Sequence, residues 1–309
     1  MRIRDLYAIK LYFCKGIQKH KTIIPVATIQ QTAQHIRESI QAAYPEPEAG
    51  AIAQLVLEHV LQKSRVQLSL GQQEEVTPAQ EEQIRRAVER LRQQEPVQYV
   101  LGVAHFYGLD LQVDERVLIP RPETEELVDL VVREHKGQQN LRIMDICAGS
   151  GCIPLALAAN LPADKVYGLE VSEGALQVAR ANAERYKLSV DWLQQDVFDP
   201  IPSIAPHSLD IITSNPPYVM EQEKALMRPN VLAYEPHLAL FVPDIEPLKY
   251  YKRIAELSTG LLKKSGRLYF EINEQYGEEV RQLLLQAGFS EAEVVQDLFN
   301  KNRIVKGVL

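Results

Sequence analysis

From Leu141 onward the sequence alternates between short apolar runs of strand character and longer stretches of helical periodicity. Strands are predicted at 141–146, 165–170, 189–195, 209–213, 267–273, 290–297 and 303–308, and helices at 152–160, 173–186, 247–263 and 275–287. A helix between two strands lets them pair in parallel. This order therefore restricts the chain to an α/β fold with a doubly wound, seven-stranded, mostly parallel sheet. The final two strands follow each other without a helix and are expected to form an antiparallel hairpin.

Upstream the period is helical. Ile29, Ala33, Ile36 and Ile40 recur every three or four residues, and Ala51, Leu55, Val56 and Val60 mark a second helix after Pro45-Glu46-Pro47. Thr77-Pro78-Ala79-Gln80 reads as a helix start, with Thr as N-cap, Pro at the first position and Gln completing a capping box. Ile84, Ala87, Val88 and Leu91 then supply the buried stripe. Residues 26–100 are expected to form a small all-helical domain without a catalytic cluster. A linking hairpin within 101–118 carries strand character from His105 to Val113, and 119–309 form the catalytic domain. In Ile119-Pro-Arg-Pro-Glu-Thr-Glu125 the prolines forbid an early helix and permit one from about Glu123 to Lys136.

Charge is uneven. Residues 1–25 carry six Lys/Arg against one Asp, residues 26–100 seven against ten, and residues 101–309 21 against 30. The basic start has only one Ser or Thr and an apolar run broken at Lys10, which fits neither a transit peptide nor a secretory signal. We read it as a disordered extension, or as lying upstream of a natural start near Val26. A net charge of −7 argues against a general nucleic-acid or anionic-membrane binder. Cys14, Cys147 and Cys152 form no C-x-x-C pair, and the seven histidines show no paired spacing, so neither a disulfide framework nor a metal site is expected. No apolar run reaches the ~18 residues of a membrane span. The expected protein is a cytoplasmic monomer.

In doubly wound sheets ligands bind at the carboxyl ends of the strands. Here the first strand ends on Asp145 and enters Cys147-Ala148-Gly149-Ser150-Gly151, the second ends on Glu170, the third runs into Asp196, and the fourth leads into Asn215-Pro216-Pro217-Tyr218. Any one of these acids has ordinary uses as a cap or a solvated loop residue; four polar strand ends in series are harder to dismiss. A dinucleotide fingerprint needs a third glycine, and Pro154 occupies that place, so NAD is disfavoured. S-adenosylmethionine has no pyrophosphate, and a shorter glycine turn suffices. Asp145 then suits its ammonium, and the Cys147–Gly151 backbone suits its methionine portion. Glu170, 21 residues beyond Gly149, suits both ribose hydroxyls, while Asp196 and the Val197 N–H suit the adenine edge.

Asn215-Pro-Pro-Tyr218 indicates the acceptor. An amide or aromatic amino nitrogen has a delocalised lone pair and must be drawn toward tetrahedral geometry as the methyl arrives. The Asn215 side-chain oxygen and the Pro216 carbonyl can each take one N–H. Pro216 and Pro217 stiffen the loop, and Tyr218 offers a flat face to a planar group.

Asn215-Pro-Pro-Tyr218 with Ile119-Pro-Arg-Pro-Glu-Thr-Glu125 resembles the HemK-type protein-(glutamine-N5) methyltransferases of peptide chain release factors. Glu95-Pro-Val-Gln-Tyr-Val-Leu-Gly102 and Tyr234-Glu-Pro236 also match that pattern, and the similarity spans about residues 28–309. The resemblance implies a class I methyltransferase sheet and S-adenosylmethionine as donor, with S-adenosylhomocysteine as product. It further implies the glutamine of a Gly-Gly-Gln motif as acceptor, a role in translation termination, and a helical domain that docks the release factor. Two departures stand out: Cys147 replaces the usual first glycine of the loop, and Glu170 replaces the commoner Asp. Three other readings remain: a ribosomal-protein glutamine methyltransferase, a DNA adenine-N6 methyltransferase acting on a flipped base, and a non-enzymatic S-adenosylmethionine-binding module. The acidic catalytic domain, without a basic recognition insert, speaks against DNA; Asn215 and Tyr218 speak against a mere binding module.

Overall fold

A computed structural model describes residues 27–309, so the expectation for residues 1–25 lies outside the described residues. The described residues divide into two compact units, one ending at Val88 and the other running from Glu89 to Leu309.

Three helices of the helical region start with one device, a Ser or Thr cap whose partner is a Gln three residues on. Helix α1 (Ile29–Ile40) is capped by Thr28 and Gln31. Helix α2 (Glu46–Leu61) follows Pro45 and ends at Gln62, in the left-handed region at φ 52°. The short α3 (Arg65–Leu70), absent from the sequence reading, is capped by Ser64 and Gln67. Thr77 and Gln80 cap α4 (Pro78–Arg92) as expected. Each box satisfies two backbone N–H groups that the first helical turn leaves free. Ile36, Ile40, Val56 and Val76 are fully buried and form the centre of the first unit.

The second unit opens with α5 (Val97–Leu101) and an antiparallel hairpin, β1 (Val103–Phe106) and β2 (Leu109–Gln112). Tyr107 and Gly108 both have positive φ (45° and 82°), the geometry of a two-residue hairpin turn. Phe106 and Leu111 are fully buried against Leu127, Val128 and Val131 of α6 (Pro122–Glu134).

The sheet then follows as β3 (Leu141–Ile146), α7 (Cys152–Asn160), β4 (Ala163–Glu170), α8 (Glu173–Tyr186), β5 (Asp191–Gln194) and β6 (Leu209–Ser214). After an irregular segment come α10 (Lys249–Leu261), β9 (Leu262–Glu271), α11 (Gly277–Ala287), β10 (Glu291–Gln296) and β11 (Asn302–Val308). That segment holds β7 (Val219–Met220), α9 (Pro229–Tyr234) and β8 (Phe241–Val242), none of which the sequence reading anticipated; β7 and β8 pair in parallel. The seven-stranded order is β10-β11-β9-β6-β3-β4-β5, with β11 antiparallel to both β9 and β10. The strand order reverses between β3 and β6, so their carboxyl ends flank a crevice. Strand β9 begins ahead of the expected start at 267, because α10 hands over to it directly and Lys263 pairs with Asp210 on β6 at 2.7 Å.

Both faces of the sheet are buried, and neighbouring residues on each strand serve opposite faces. Ile143, Ile211, Tyr269 and Ile304 pack with α6 and α7, while Met144, Ile212, Phe270 and Val305 pack with α10 and α11. Strands covered on both sides read as continuous apolar runs, which is why they were visible in the sequence. Among the described residues no helix is long and apolar enough to cross a membrane.

Gly168 on β4 pairs with Trp192 on β5, and the indole lies across it. A Cβ added at Gly168 would meet Trp192 ring carbons at 2.4 and 2.6 Å. Gly168→Val should therefore destabilise the protein by roughly 1–3 kcal/mol, the usual cost of overpacking. In a Trp192→Leu background the same change should cost less, which urea unfolding of the four proteins would measure.

Candidate active site

The crevice between β3 and β6 is the mouth of a cleft with about 1090 Å³ of space, open to solvent. Its walls come from the loops after β3, β4, β5 and β6, from residues 116–124 before and within α6, and from Pro236, Leu238, Ala239 and Tyr250. Of the residues singled out in the sequence, Cys147, Ala148, Gly149, Ser150, Glu170, Asp196, Val197, Asn215 and Pro217 line it together. Asp145, Gly151, Pro216 and Tyr218 are not among the residues that line it.

The loop after β3 passes through the left-handed region three times in five residues, at Cys147 (φ 66°), Gly149 (φ 53°) and Gly151 (φ 81°). Cys147 thus holds the backbone conformation that a glycine would adopt without strain, at a cost on the order of 1 kcal/mol. Two side chains from elsewhere fix the loop. Glu170 at the end of β4, 9% exposed, accepts from the Gly149 N–H (3.0 Å) with Oε2 and from the Ser172 N–H (2.9 Å) with Oε1. Asn182 of α8, fully buried, donates to the carbonyls of Ser150 (3.0 Å) and Gln112 (3.1 Å) and accepts from the Gln112 N–H (2.6 Å).

Asp145 is 0% exposed. Its Oδ1 accepts from the Thr213 hydroxyl at 2.7 Å, and its Oδ2 has no partner. Burial pushes its carboxyl well above the usual carboxylate range; Thr213 opposes the shift and Glu170 adds to it. Burial likewise raises the Cys147 thiol, with Glu170 and Asp145 reinforcing. Asp196 is exposed, and its Oδ1 accepts from the Phe198 N–H at 3.0 Å. Tyr250 faces the same wall and packs on Phe198 (ring centroids 5.3 Å). Burial, helped by Cys147, Asp196 and Glu170, pushes its phenol up to about 12.

After β6 a polar chain runs inward. Asn215 Nδ2 donates to Thr124 Oγ1 (3.3 Å), and the Thr124 hydroxyl donates to Glu271 Oε2 (2.6 Å). The Tyr218 hydroxyl donates to Glu271 Oε1 (3.1 Å). Tyr218 is thus turned into the core by its hydroxyl, and burial raises its phenol. The sequence reading missed Thr124, Glu271, Asn182 and Tyr250 as site residues. Reading the strand ends as far as β9 would have added Glu271; Thr124 stood inside the Ile119–Glu125 segment without a role.

A second anchor shapes the rim. Glu235, its side chain 1% exposed, accepts from Arg121 Nη2 (2.5 Å) and from the Ile119 N–H (3.1 Å).

A mostly parallel sheet with a strand-order switch, a glycine-turned loop after its first strand and acidic residues at or after the ends of the next two defines a class I S-adenosylmethionine-dependent methyltransferase fold. The solved hMettl16 catalytic domain, in complex with the MAT2A 3'UTR hairpin 6, shares that fold; it is 18% identical with a TM-score of 0.51, over 75% of this chain and 82% of that one. A PrmC N-terminal domain matches residues 31–102, and a methyltransferase small domain matches residues 124–233. A release factor glutamine methyltransferase of Bacteroides thetaiotaomicron is 43% identical over 88% of this chain and 96% of its own length. One from Flavobacterium psychrophilum is 38% identical over 87% and 95%. The chain belongs to the release factor glutamine methyltransferase family.

Removing Arg121 would leave the Glu235 carboxylate buried with one neutral donor. Arg121→Met should cost about 2–3 kcal/mol, below the ~3–5 of a fully buried pair because Arg121 is 33% exposed. A lowered urea midpoint with an unchanged slope is the expected measurement.

Proposed function

We propose that this protein transfers a methyl group from S-adenosylmethionine to the side-chain amide nitrogen of the glutamine in the Gly-Gly-Gln motif of peptide chain release factors. The observation that carries the reading is Asn215-Pro-Pro-Tyr218 directly after β6, with Asn215 on the cleft wall beside Glu170 and Asp196.

The donor set fits S-adenosylmethionine. Glu170 retains lone pairs for the ribose hydroxyls after accepting two backbone N–H groups. Asp196 and the Val197 N–H would meet the adenine edge, and the loop from Cys147 to Gly151 would take the methionine portion. Asp145 lies beneath that loop with one oxygen unpartnered; burial favours its neutral form, and the ammonium of the bound donor would draw it toward the ionised form and be attracted by that charge in turn. The bound donor supplies an electrophilic methyl; the protein has to make the amide nitrogen nucleophilic. Asn215 Oδ1 and the Pro216 carbonyl accept the two N–H hydrogens and draw the nitrogen toward tetrahedral geometry. As its bond to carbon forms, the carbon–sulfur bond breaks, and the surplus proton leaves to solvent. No strong base is required.

Asn215→Ala should keep S-adenosylmethionine binding within a few fold while removing most turnover, since the lost acceptor acts chiefly on the transition state. Glu170→Ala should instead weaken S-adenosylmethionine binding by roughly 1–3 kcal/mol. Calorimetry and single-turnover assays separate the two, and near-wild-type turnover by Asn215→Ala would remove the mechanism.

A pocket shaped for one planar amide cannot tell one protein's glutamine from another's, so discrimination comes from surface beyond it. We assign that docking to helical residues 26–100. With labelled S-adenosylmethionine, purified release factor should be methylated at its Gly-Gly-Gln glutamine, and ribosomal proteins and DNA should not. Deleting the helices should reduce methylation of the whole factor far more than that of a short Gly-Gly-Gln peptide; equal losses would count against docking.

A further inference from the structure

A carboxamide offers an oxygen on one side and an NH2 on the other, with nearly the same shape. Only one orientation of Asn215 serves the acceptor nitrogen: Oδ1 toward the cleft accepts its N–H, whereas Nδ2 toward the cleft would set donor against donor. Proline stiffness positions the backbone here but does not choose between the two. We propose that Glu271, acting through Thr124, fixes the orientation of the Asn215 carboxamide so that Oδ1 faces the methyl-accepting nitrogen, which makes Thr124 and Glu271 positioning residues for the reaction. This inference rests on Asn215 being the acceptor assigned above.

Hydrogen-bond polarity chooses the orientation. Thr124 Oγ1 lies 2.6 Å from Glu271 Oε2, and an ionised carboxylate only accepts, so the single Thr124 hydrogen is committed to Glu271. What Thr124 then turns toward Asn215 is a lone pair, and a lone pair selects Nδ2, seen at 3.3 Å. Asn215 Oδ1 makes no hydrogen bond to any described residue and is left for the cleft. Tyr218 supplies the donor to the other carboxylate oxygen at 3.1 Å, so both oxygens of a 1% exposed group are satisfied. The Tyr251 hydroxyl donates to the Glu271 carbonyl at 3.3 Å and steadies the strand end.

Protonation reverses the chain. A neutral Glu271 can donate to Thr124, which frees the Thr124 hydrogen to donate to Asn215 Oδ1 and turns Nδ2 toward the cleft. Burial pushes the Glu271 carboxyl above its ordinary value, Thr124, Tyr218 and Arg303 of β11 oppose the shift, and Glu123 of α6 adds to it. The ionised, oriented form is therefore present above that raised value and is lost as pH falls through it.

The test uses the full-length enzyme with release factor as substrate. Thr124→Val, which keeps the shape and removes the hydroxyl, should lower kcat roughly 10- to 100-fold with S-adenosylmethionine affinity unchanged. Thr124→Ser should restore kcat to within a few fold. Wild-type kcat should fall on an acid limb, and Glu271→Gln, which cannot ionise, should flatten that limb. Adding Thr124→Val to Asn215→Ala should cause no further loss, because the residue acts through Asn215. Wild-type kcat in Thr124→Val would overturn the proposal. So would an additive loss in the double variant, or an acid limb that survives Glu271→Gln. If Thr124→Val does not fold, the Ser variant and the pH profile of Glu271→Gln decide. Asn215→Ala assayed in parallel separates the two readings, since its near-wild-type turnover would refute the acceptor role itself.

Discussion

The cleft depends on a backbone loop held in a conformation it would not choose. Between Cys147 and Gly151 three residues occupy the left-handed region, one of them with a side chain. Within the loop a single turn bond, from the Gly151 N–H to the Ala148 carbonyl at 2.8 Å, opposes this. Further support comes from Glu170, which ties the Gly149 N–H to the start of the next loop at Ser172, and from Asn182, which ties the Ser150 carbonyl to the end of the β1–β2 hairpin at Gln112. Both side chains are buried and each uses more than one polar atom, so loosening either would release several backbone groups at once. The floor of the cleft is therefore set before any ligand arrives.

Much of the sheet was legible because its strands are covered on both faces. Ile143 and Met144, or Leu268, Tyr269 and Phe270, are consecutive apolar residues buried on opposite faces, and acidic residues, Asp145 and Glu271, follow them. Helices with long stripes and side-chain caps, such as Ile29–Ile40 and Pro78–Arg92, were equally plain. Short elements were not. Val97–Leu101 and Pro229–Tyr234 lack side-chain caps, and five or six residues carry too little periodicity to read. For Arg65–Leu70 a signal existed, the Ser64–Gln67 capping box, but no buried stripe accompanied it. In the site, strand ends announced Glu170 and Asn215. The contact between Thr124 and Glu271 joins residues 147 positions apart, which no local pattern encodes.

The segments that carried the family resemblance turn out to be joined in space. Tyr99, within Glu95–Gly102, donates its hydroxyl to the Val117 carbonyl at 2.6 Å, just ahead of Ile119–Glu125. Glu235 of Tyr234-Glu-Pro236 then holds both the Ile119 N–H and the Arg121 side chain, and Tyr234 reaches the Gln93 carbonyl at 2.8 Å. Most of these residues do no chemistry. They brace the rim from which Arg121 and Thr124 face the cleft, so the segments that carried the resemblance serve mainly as structural support.

Trp192 is the chain's single tryptophan. Its ring edge lies where a Cβ on Gly151 would come within 2.8 Å of it, so it touches the loop after β3 from behind. The protein consequently carries one indole, set against the loop whose backbone geometry the cleft requires. Its emission wavelength and quenching report the state of that loop without any attached label, and a titration followed by selective indole excitation reads the floor of the cleft.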